Sequence, residues 1–264
     1  MSSTFKYLHK LQGQKVLIFG GSSGFGFAVA EAAIEHGADA IISGSNQERL
    51  DEAVSRLYQQ YTDIKPGQLT SAIIDLANLE GLDSRLEDLL NHVTDGGVKN
   101  IDHIVFTADA TRKVPKIADT TTEDVNHVLQ LRVFSSSILA KVIAGTTYLR
   151  RSANSSLTFT NGVNGHRPVE GWALPAMAST SLEGLVRGLA VDLAPLRVNL
   201  VSAGPIATEL LATLPQNYLD MYAEQTLLKA IGKPEDIAEA FIYIMKDHNA
   251  TGSVLFSDGG RRLA

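Results

Sequence analysis

Lys15-Val16-Leu17-Ile18-Phe19-Gly20-Gly21-Ser22-Ser23-Gly24-Phe25-Gly26 is the stretch that decides the fold. Its first five residues are a strand-length run dominated by apolar side chains, and the glycines that follow open a helical pattern over 25–36. Strand, tight turn and helix in that order give a glycine pattern chemical meaning. Gly20 permits the turn, Gly24 lets a pyrophosphate approach the backbone, and Gly26 lets the helix pack on the strand; Ser22, Ser23 and Phe25 complete the loop. Free N–H groups at the start of the helix favour an anion there. The alternative, a glycine-rich turn that holds no ligand, has to explain why strand, spacing and helix all agree.

Outward from this loop, apolar runs at 40–43, 71–74, 101–106, 156–160, 198–201 and 253–256 alternate with helical patterns at 47–60, 79–93, 123–143, 182–193 and 235–245. Such alternation predicts an α/β, Rossmann-type doubly wound parallel sheet of about seven strands, with helices on both faces, as a single domain over 1–264. Asn46 and Thr122 are the expected helix N-caps. Two irregular stretches, 161–174 and 203–231, follow strands and so lie at the carboxyl edge, where open α/β sheets bind ligands. The second carries Leu210, Leu211, Leu214, Tyr218, Met221 and Tyr222, an apolar set suited to a flap around 205–230 over a greasy ligand. Covering the domain or a subunit contact is the plainer use of such residues.

Composition narrows the classes. The 264 residues are 44% apolar and 20% charged, enough for one large α/β domain. With a net charge of −6 and no basic run longer than Arg150-Arg151 or Arg261-Arg262, no nucleic-acid partner is expected. The absence of cysteine excludes disulfides, thiolate metal sites and a cysteine nucleophile, and no metal is called for. Residues 1–10 show no basic-then-apolar leader, and no unbroken apolar run approaches the roughly 18 residues of a membrane span. A soluble, cytoplasmic protein without a membrane partner is the expectation.

The end of the second strand distinguishes the nicotinamide cofactors. Gly44-Ser45-Asn46, with Arg49 one turn on, offers no carboxylate to repel a ribose 2′-phosphate. Ser45, Asn46 and Arg49 are suited to hold that phosphate, which favours NADPH/NADP+; otherwise Arg49 is a solvated helix charge.

The Gly-x-x-x-Gly-x-Gly spacing resembles the short-chain dehydrogenase/reductase family, and the resemblance runs nearly end to end. The segment 101–109 is similar to the family's strand ending in Asn-Asn-Ala-Gly, and 183–194 to the long helix of its catalytic segment. Arg197-Val198-Asn199 is similar to the next strand, Ala203-Gly204-Pro205-Ile206-Ala207-Thr208 to its Pro-Gly turn with the nicotinamide-holding Thr, and Asp258-Gly259-Gly260 to its C-terminal motif. The resemblance implies that Asp75 contacts adenine and that Ala108, Ile206 and Thr208 border the cofactor. It also implies a homo-oligomer, dimer or tetramer, built through the helices at 123–143 and 175–193.

Aligned on Glu183-Gly184-Leu185, the family's Tyr-x-x-x-Lys falls on Pro175 and Ser179, its Ser near Gly162 and its Asn near Arg132. Pro175 suits a first helical position. In the family, the Tyr quenches the alkoxide formed from a ketone. A general acid is worth about 10²- to 10⁴-fold, so its unreplaced loss makes ketone reduction slow. Hydride addition to an iminium gives a neutral amine and needs no acid. Asp109, standing where the family has glycine, is suited to attract a cationic substrate and oppose Arg132; a structural ion pair or a turn cap is the alternative. His166 is either a relocated acid or a solvated loop histidine, and Trp172 either stacks on an aromatic substrate or anchors the loop.

With Pro175-Ala176-Met177-Ala178-Ser179 in place of Tyr-x-x-x-Lys and Arg132 in place of Asn, the chain resembles a small fungal group within that family, the bifunctional reductase/Diels–Alderases of malbrancheamide and paraherquamide biosynthesis. That resemblance implies NADPH-dependent reduction of a cyclic iminium derived from a prenylated indole dipeptide. Stereocontrolled intramolecular Diels–Alder closure to a bridged diazaoctane alkaloid follows, with Trp172, Pro175, Leu210, Tyr218 and Tyr222 as pocket walls. A carbonyl reductase using His166, or an inactive cofactor-binding pseudoenzyme, are the alternatives.

Overall fold

Strands β1 (Lys15–Phe19), β2 (Asp39–Gly44), β3 (Leu69–Ile73), β4 (His103–Phe106), β5 (Ser156–Gly162), β6 (Arg197–Ala203) and β7 (Val254–Ser257) form one sheet in the order β3-β2-β1-β4-β5-β6-β7. Every pairing is parallel. The computed structural model describes residues 6–109 and 115–264, so residues 1–5 of the N-terminal stretch read for a leader lie outside it. Because side chains alternate along a strand, Val16 and Ile18 enter one core while Leu17 and Phe19 enter the other. The first core is closed by α1 (Gly24–Glu35), α2 (Gln47–Gln60) and α9 (Pro234–Lys246). The second lies under α3 (Leu82–Val93), α5 (Ser136–Gly145) and α6 (Ala173–Asp192). The sheet is thus a single-domain, doubly wound one, as expected, and its order reverses between β1 and β4, which opens the ligand crevice at their carboxyl ends.

Several boundaries differ from expectation for identifiable reasons. Thr121, not Thr122, caps α4 (Thr122–Leu129): its Oγ1 accepts from Asp124 N at 3.2 Å while Asp124 Oδ2 accepts from Thr121 N at 2.9 Å. The helix expected over 182–193 begins at Ala173, because the buried stripe Leu174, Ala178, Leu182 and Val186 starts there. Pro175 is therefore its third residue rather than its first, still among the four whose N–H groups a helix leaves free. Ile101 pairs only as an isolated bridge to Leu149, since Asp102 turns to accept from Lys15 N at 2.9 Å.

The single helix expected over 123–143 is α4, a π-helical turn at Gln130–Ser135, and α5. Ser135 Oγ donates to Leu76 O at 2.6 Å, a tertiary bond that sits inside the widened turn. The run Thr122–Gly145 is long and apolar enough to cross a membrane by length and composition, unlike the expectation from unbroken apolar runs. Its Leu139, Val142 and Ile143 are buried in the second core, which is what selects those residues.

One buried titratable group gives the fold a pH dependence. His103 on β4 is fully buried, with Nδ1 2.8 Å from Ser156 Oγ and Nε2 2.6 Å from Gln14 Oε1. Burial, and then the charge of Arg197, push its pKa down from 6.5 to about 3. The unfolded chain takes up a proton below its ordinary pKa while the fold does not, so stability is fully present above about pH 6.5 and is lost as pH falls toward 3. Urea denaturation at pH 6 and pH 4 is expected to show wild type losing roughly 2 kcal/mol more than His103→Gln over that interval. Identical losses in the two proteins would remove His103 from this account.

Candidate active site at the sheet switch point

The phosphate loop is built by contacts that leave no room for side chains. Gly20 has φ +83°, and its N–H and that of Gly21 donate to Ser43 O at 2.8 and 3.0 Å. A Cβ on Gly20 would lie 2.7 Å from Ala108 N, so the first turn presses on the end of β4. A Cβ on Gly26 would run into the Gly20 carbonyl and come within 2.6 Å of Thr107 Oγ1. Gly24, at φ +53°, opens the 12-residue helix α1, and its N-cap Ser23 makes no side-chain cap bond. Ser22 reaches toward the end of β2 at Gly44. Phe25 turns its ring into the first core. A concave backbone cradle at the N-terminus of a long helix fits a dinucleotide pyrophosphate.

At the ribose end, Ser45, Asn46 and Arg49 are exposed beyond β2. Asn46 is the expected cap, its side-chain oxygen accepting from Arg49 N at 3.0 Å. Asp75 follows β3 and accepts from Ala77 N at 2.9 Å. Ile206 is buried and bridges to Gly232. Thr208 Oγ1 accepts from Leu211 N at 3.4 Å as the N-cap of α7 (Glu209–Ala212), so the hydroxyl implied for a nicotinamide amide here also caps a helix. The 203–231 stretch expected to be irregular contains two short helices, α7 and then α8 (Gln216–Glu224), with irregular backbone around them. Leu210 and Tyr218 are exposed and Tyr222 is half-buried, so the apolar set faces outward from the core.

On the catalytic side, the π turn delivers Arg132. Its Nη2 lies 2.7 Å from Asp109 Oδ2, and its Nη1 donates to Ser179 Oγ at 3.3 Å. The Arg132 side chain is 13% exposed against 45% for Asp109, so the pair has a dry end and a wet one. Arg132 Nε is buried with no partner among the described residues. Ser179 continues the network through its backbone: Asn161 Nδ2 donates to its carbonyl at 3.0 Å and to Glu183 Oε1 at 3.3 Å. His166 Nε2 meets the same Glu183 oxygen at 2.8 Å, and its ring stands edge-on to Phe256. His166 is thus tied to a buried carboxylate rather than merely solvated. Trp172 is half-buried at the N-cap of α6.

The structure brings Asp109, Arg132 and His166 into one network, with Pro175 on the same face of α6 as Ser179 and Glu183, four residues apart in each step. Sequence reading had not singled out Asn161, Ser179 or Glu183 as members. The available signal was Glu183, a carboxylate inside the buried stripe of α6 between Leu182 and Val186.

Residues 7–264 match the family model described as the SDR-like Rossmann domain. The chain is similar to the short-chain dehydrogenase/reductase malC of Malbranchea aurantiaca, at 39% identity with 100% of both chains covered. It is also similar to the short-chain dehydrogenase/reductase fsr5 of Gibberella fujikuroi, at 36% identity with 100% of both covered. The solved structure of the MalC reductase/Diels–Alderase from Malbranchea aurantiaca matches with a TM-score of 0.90 at 40% identity, covering 99% of this chain and 100% of that one.

Proposed function

Because this chain belongs to the SDR-like Rossmann family, a family of oxidoreductases whose fold implies a nicotinamide cofactor, we propose that it is an NADPH-dependent reductase of a cyclic iminium that also steers an intramolecular Diels–Alder closure. The observation that carries this reading is the Asp109–Arg132–Ser179 cluster, in a chain whose Pro175 and Ser179 align with the family's proton-donating Tyr and its Lys. The relative solved as a reductase/Diels–Alderase supports it.

Gly20, Gly24 and Gly26 let the backbone close around a pyrophosphate, and the α1 amides meet its charge. Ser45, the Asn46 amide and Arg49 hold a 2′-phosphate, while Asp75, Ala108, Ile206 and Thr208 border the remainder of the cofactor. When bound, the reduced nicotinamide supplies a hydride, and hydride on C=N⁺ gives a neutral amine. Asp109 draws the cation to the site and faces the positive charge while it passes from the substrate to the nicotinamide ring, and Arg132 fixes the carboxylate in place. No proton donor is consumed, so Pro175 in the tyrosine position costs this reaction nothing.

The cycloaddition needs orientation rather than acid or base. Residues 205–230 act as a flap, and Leu210, Tyr218 and Tyr222, with Trp172 and Pro175 opposite, fold a prenyl chain over the diene and offset its entropy loss. The substrate class is a hydrophobic prenylated indole dipeptide iminium and the product a bridged diazaoctane alkaloid. A cytoplasmic homo-oligomer, dimer or tetramer, joined through α4–α5 and α6 and without nucleic-acid or membrane partners, completes the reading.

The test is cofactor oxidation without oxygen, comparing a cyclic indole-dipeptide iminium with a matched ketone and following deuterium from labelled NADPH. Label is expected in a bridged product from the iminium, with the ketone at least about 10²-fold slower. NADPH is expected to bind more tightly than NADH. If the ketone were reduced and its rate fell as pH rose through a histidine titration absent in His166→Ala, the carbonyl-reductase reading would replace this one. Tight NADPH binding with no turnover of either substrate would make the chain a pseudoenzyme.

A further inference from the structure

Glu209, the first residue of α7, reaches the phosphate loop. Its Oε2 accepts from Gly24 N at 3.0 Å, and its Oε1 lies 4.0 Å from Arg56 Nη1. Arg56 itself is held on α2 by the Phe27 ring of α1, 4.1 Å from its centroid. Next to Glu209, Thr208 packs so closely that a Cβ on Gly24 would lie 3.4 Å from its methyl group. Ser23 offers no side-chain oxygen to the opening amides of α1. A carboxylate from the 205–230 segment is therefore the anion serving a helix end that the cofactor pyrophosphate also requires.

One N–H cannot serve two anions at once, and two like charges on it repel. We propose that Glu209 is a displaceable latch: it ties α7 and α8 to the phosphate loop until a pyrophosphate evicts it, so cofactor binding is what frees the cover of the substrate crevice. Strength suits the task. Glu209 and Arg56 side chains are 59% and 55% exposed, so solvent screens the ion pair and keeps the contact weak enough to displace. A competitor that closes the site lowers apparent affinity by the fraction of molecules left open. The inference rests on the dinucleotide reading of the loop and is independent of the choice between NADPH and NADH and of the substrate.

ADP-ribose, which carries the pyrophosphate without the nicotinamide, separates the two questions. Calorimetric titration of the full chain is expected to show Glu209→Gln binding ADP-ribose about 3- to 10-fold more tightly than wild type, with Arg56→Met showing a smaller gain in the same direction. In wild type, ADP-ribose is expected to speed hydrogen exchange at the amides of 209–212; in Glu209→Gln exchange is already fast without it. Equal or weaker binding by Glu209→Gln, or exchange in wild type that ADP-ribose leaves unchanged, overturns the latch. Tighter ADP-ribose binding by Glu209→Gln together with no binding of NADPH or NADH to either protein would uphold the latch and overturn the nicotinamide reading.

Discussion

Asp109→Ala is expected to slow single-turnover hydride transfer to a cyclic iminium by about 10²- to 10³-fold, while NADPH affinity moves by less than about threefold. Two effects add in that loss. On the proposed reading, the positive charge that passes from substrate to nicotinamide loses its counter-charge, and Arg132, freed from its partner at 2.7 Å, presents a positive charge to the same crevice. The double variant Asp109→Ala/Arg132→Met is therefore expected to be faster than Asp109→Ala alone, because it removes the repulsion together with the attraction. A purely structural ion pair behaves differently. It would lower the melting temperature of both variants, reduce cofactor affinity as much as rate, and give the double variant no advantage.

Gly26→Ala is expected to reduce cofactor affinity by more than about 100-fold and to destabilise the fold by about 1–3 kcal/mol. The new methyl would meet the Gly20 carbonyl and, at 2.6 Å, Thr107 Oγ1, which is itself tied to Phe19 O at 2.9 Å. Neither backbone nor the bonded hydroxyl can yield cheaply, so α1 must tilt away from β1 and carry its N-terminal amides off the phosphate. Gly184→Ala is the matched control: nothing lies within 4 Å of that position, and a helical Gly replaced by Ala is neutral or slightly stabilising. Fluorescence titration with NADPH and thermal melting measure both effects. Normal binding by Gly26→Ala would mean that the loop can rearrange, and the cradle argument would fail.

The strands were legible because a parallel sheet covered on both faces demands continuous apolar runs, and 15–19 supplies one without competing patterns. The phosphate loop was legible because all its determinants lie within a dozen consecutive residues. The start of α6 was not, since Trp172 caps it without a side-chain bond and Pro175 reads as a boundary. The Thr121–Asp124 capping box was available in the sequence, but the neighbouring Thr122 offered nearly the same signal one residue later. Nothing local marks the π turn, whose Ser135 bonds across to Leu76. The contact between Glu209 and Gly24 joins residues 185 apart in the chain, and no periodicity reports such a pairing. His166, Glu183 and Asn161 show the same limit: each was visible as a residue type, but their meeting at one carboxylate is a property of the folded sheet edge.

Ser179 joins the two halves of the site in two chemically different ways, by hydroxyl to Arg132 and by main-chain carbonyl to Asn161. On the iminium reading, ketone reduction is therefore hard to reach from this site one substitution at a time. A lysine restored at 179 would bring an ammonium against a guanidinium that now sits 3.3 Å from the serine oxygen, with most of that arginine shielded from water. A tyrosine placed at 175 alone would still lack the lysine that the family sets four residues on. Removing Arg132 first would take from Asp109 the guanidinium that now lies 2.7 Å away. Positions 132 and 179 are therefore coupled through one hydrogen bond, and a change of chemistry here has to alter them together with 175.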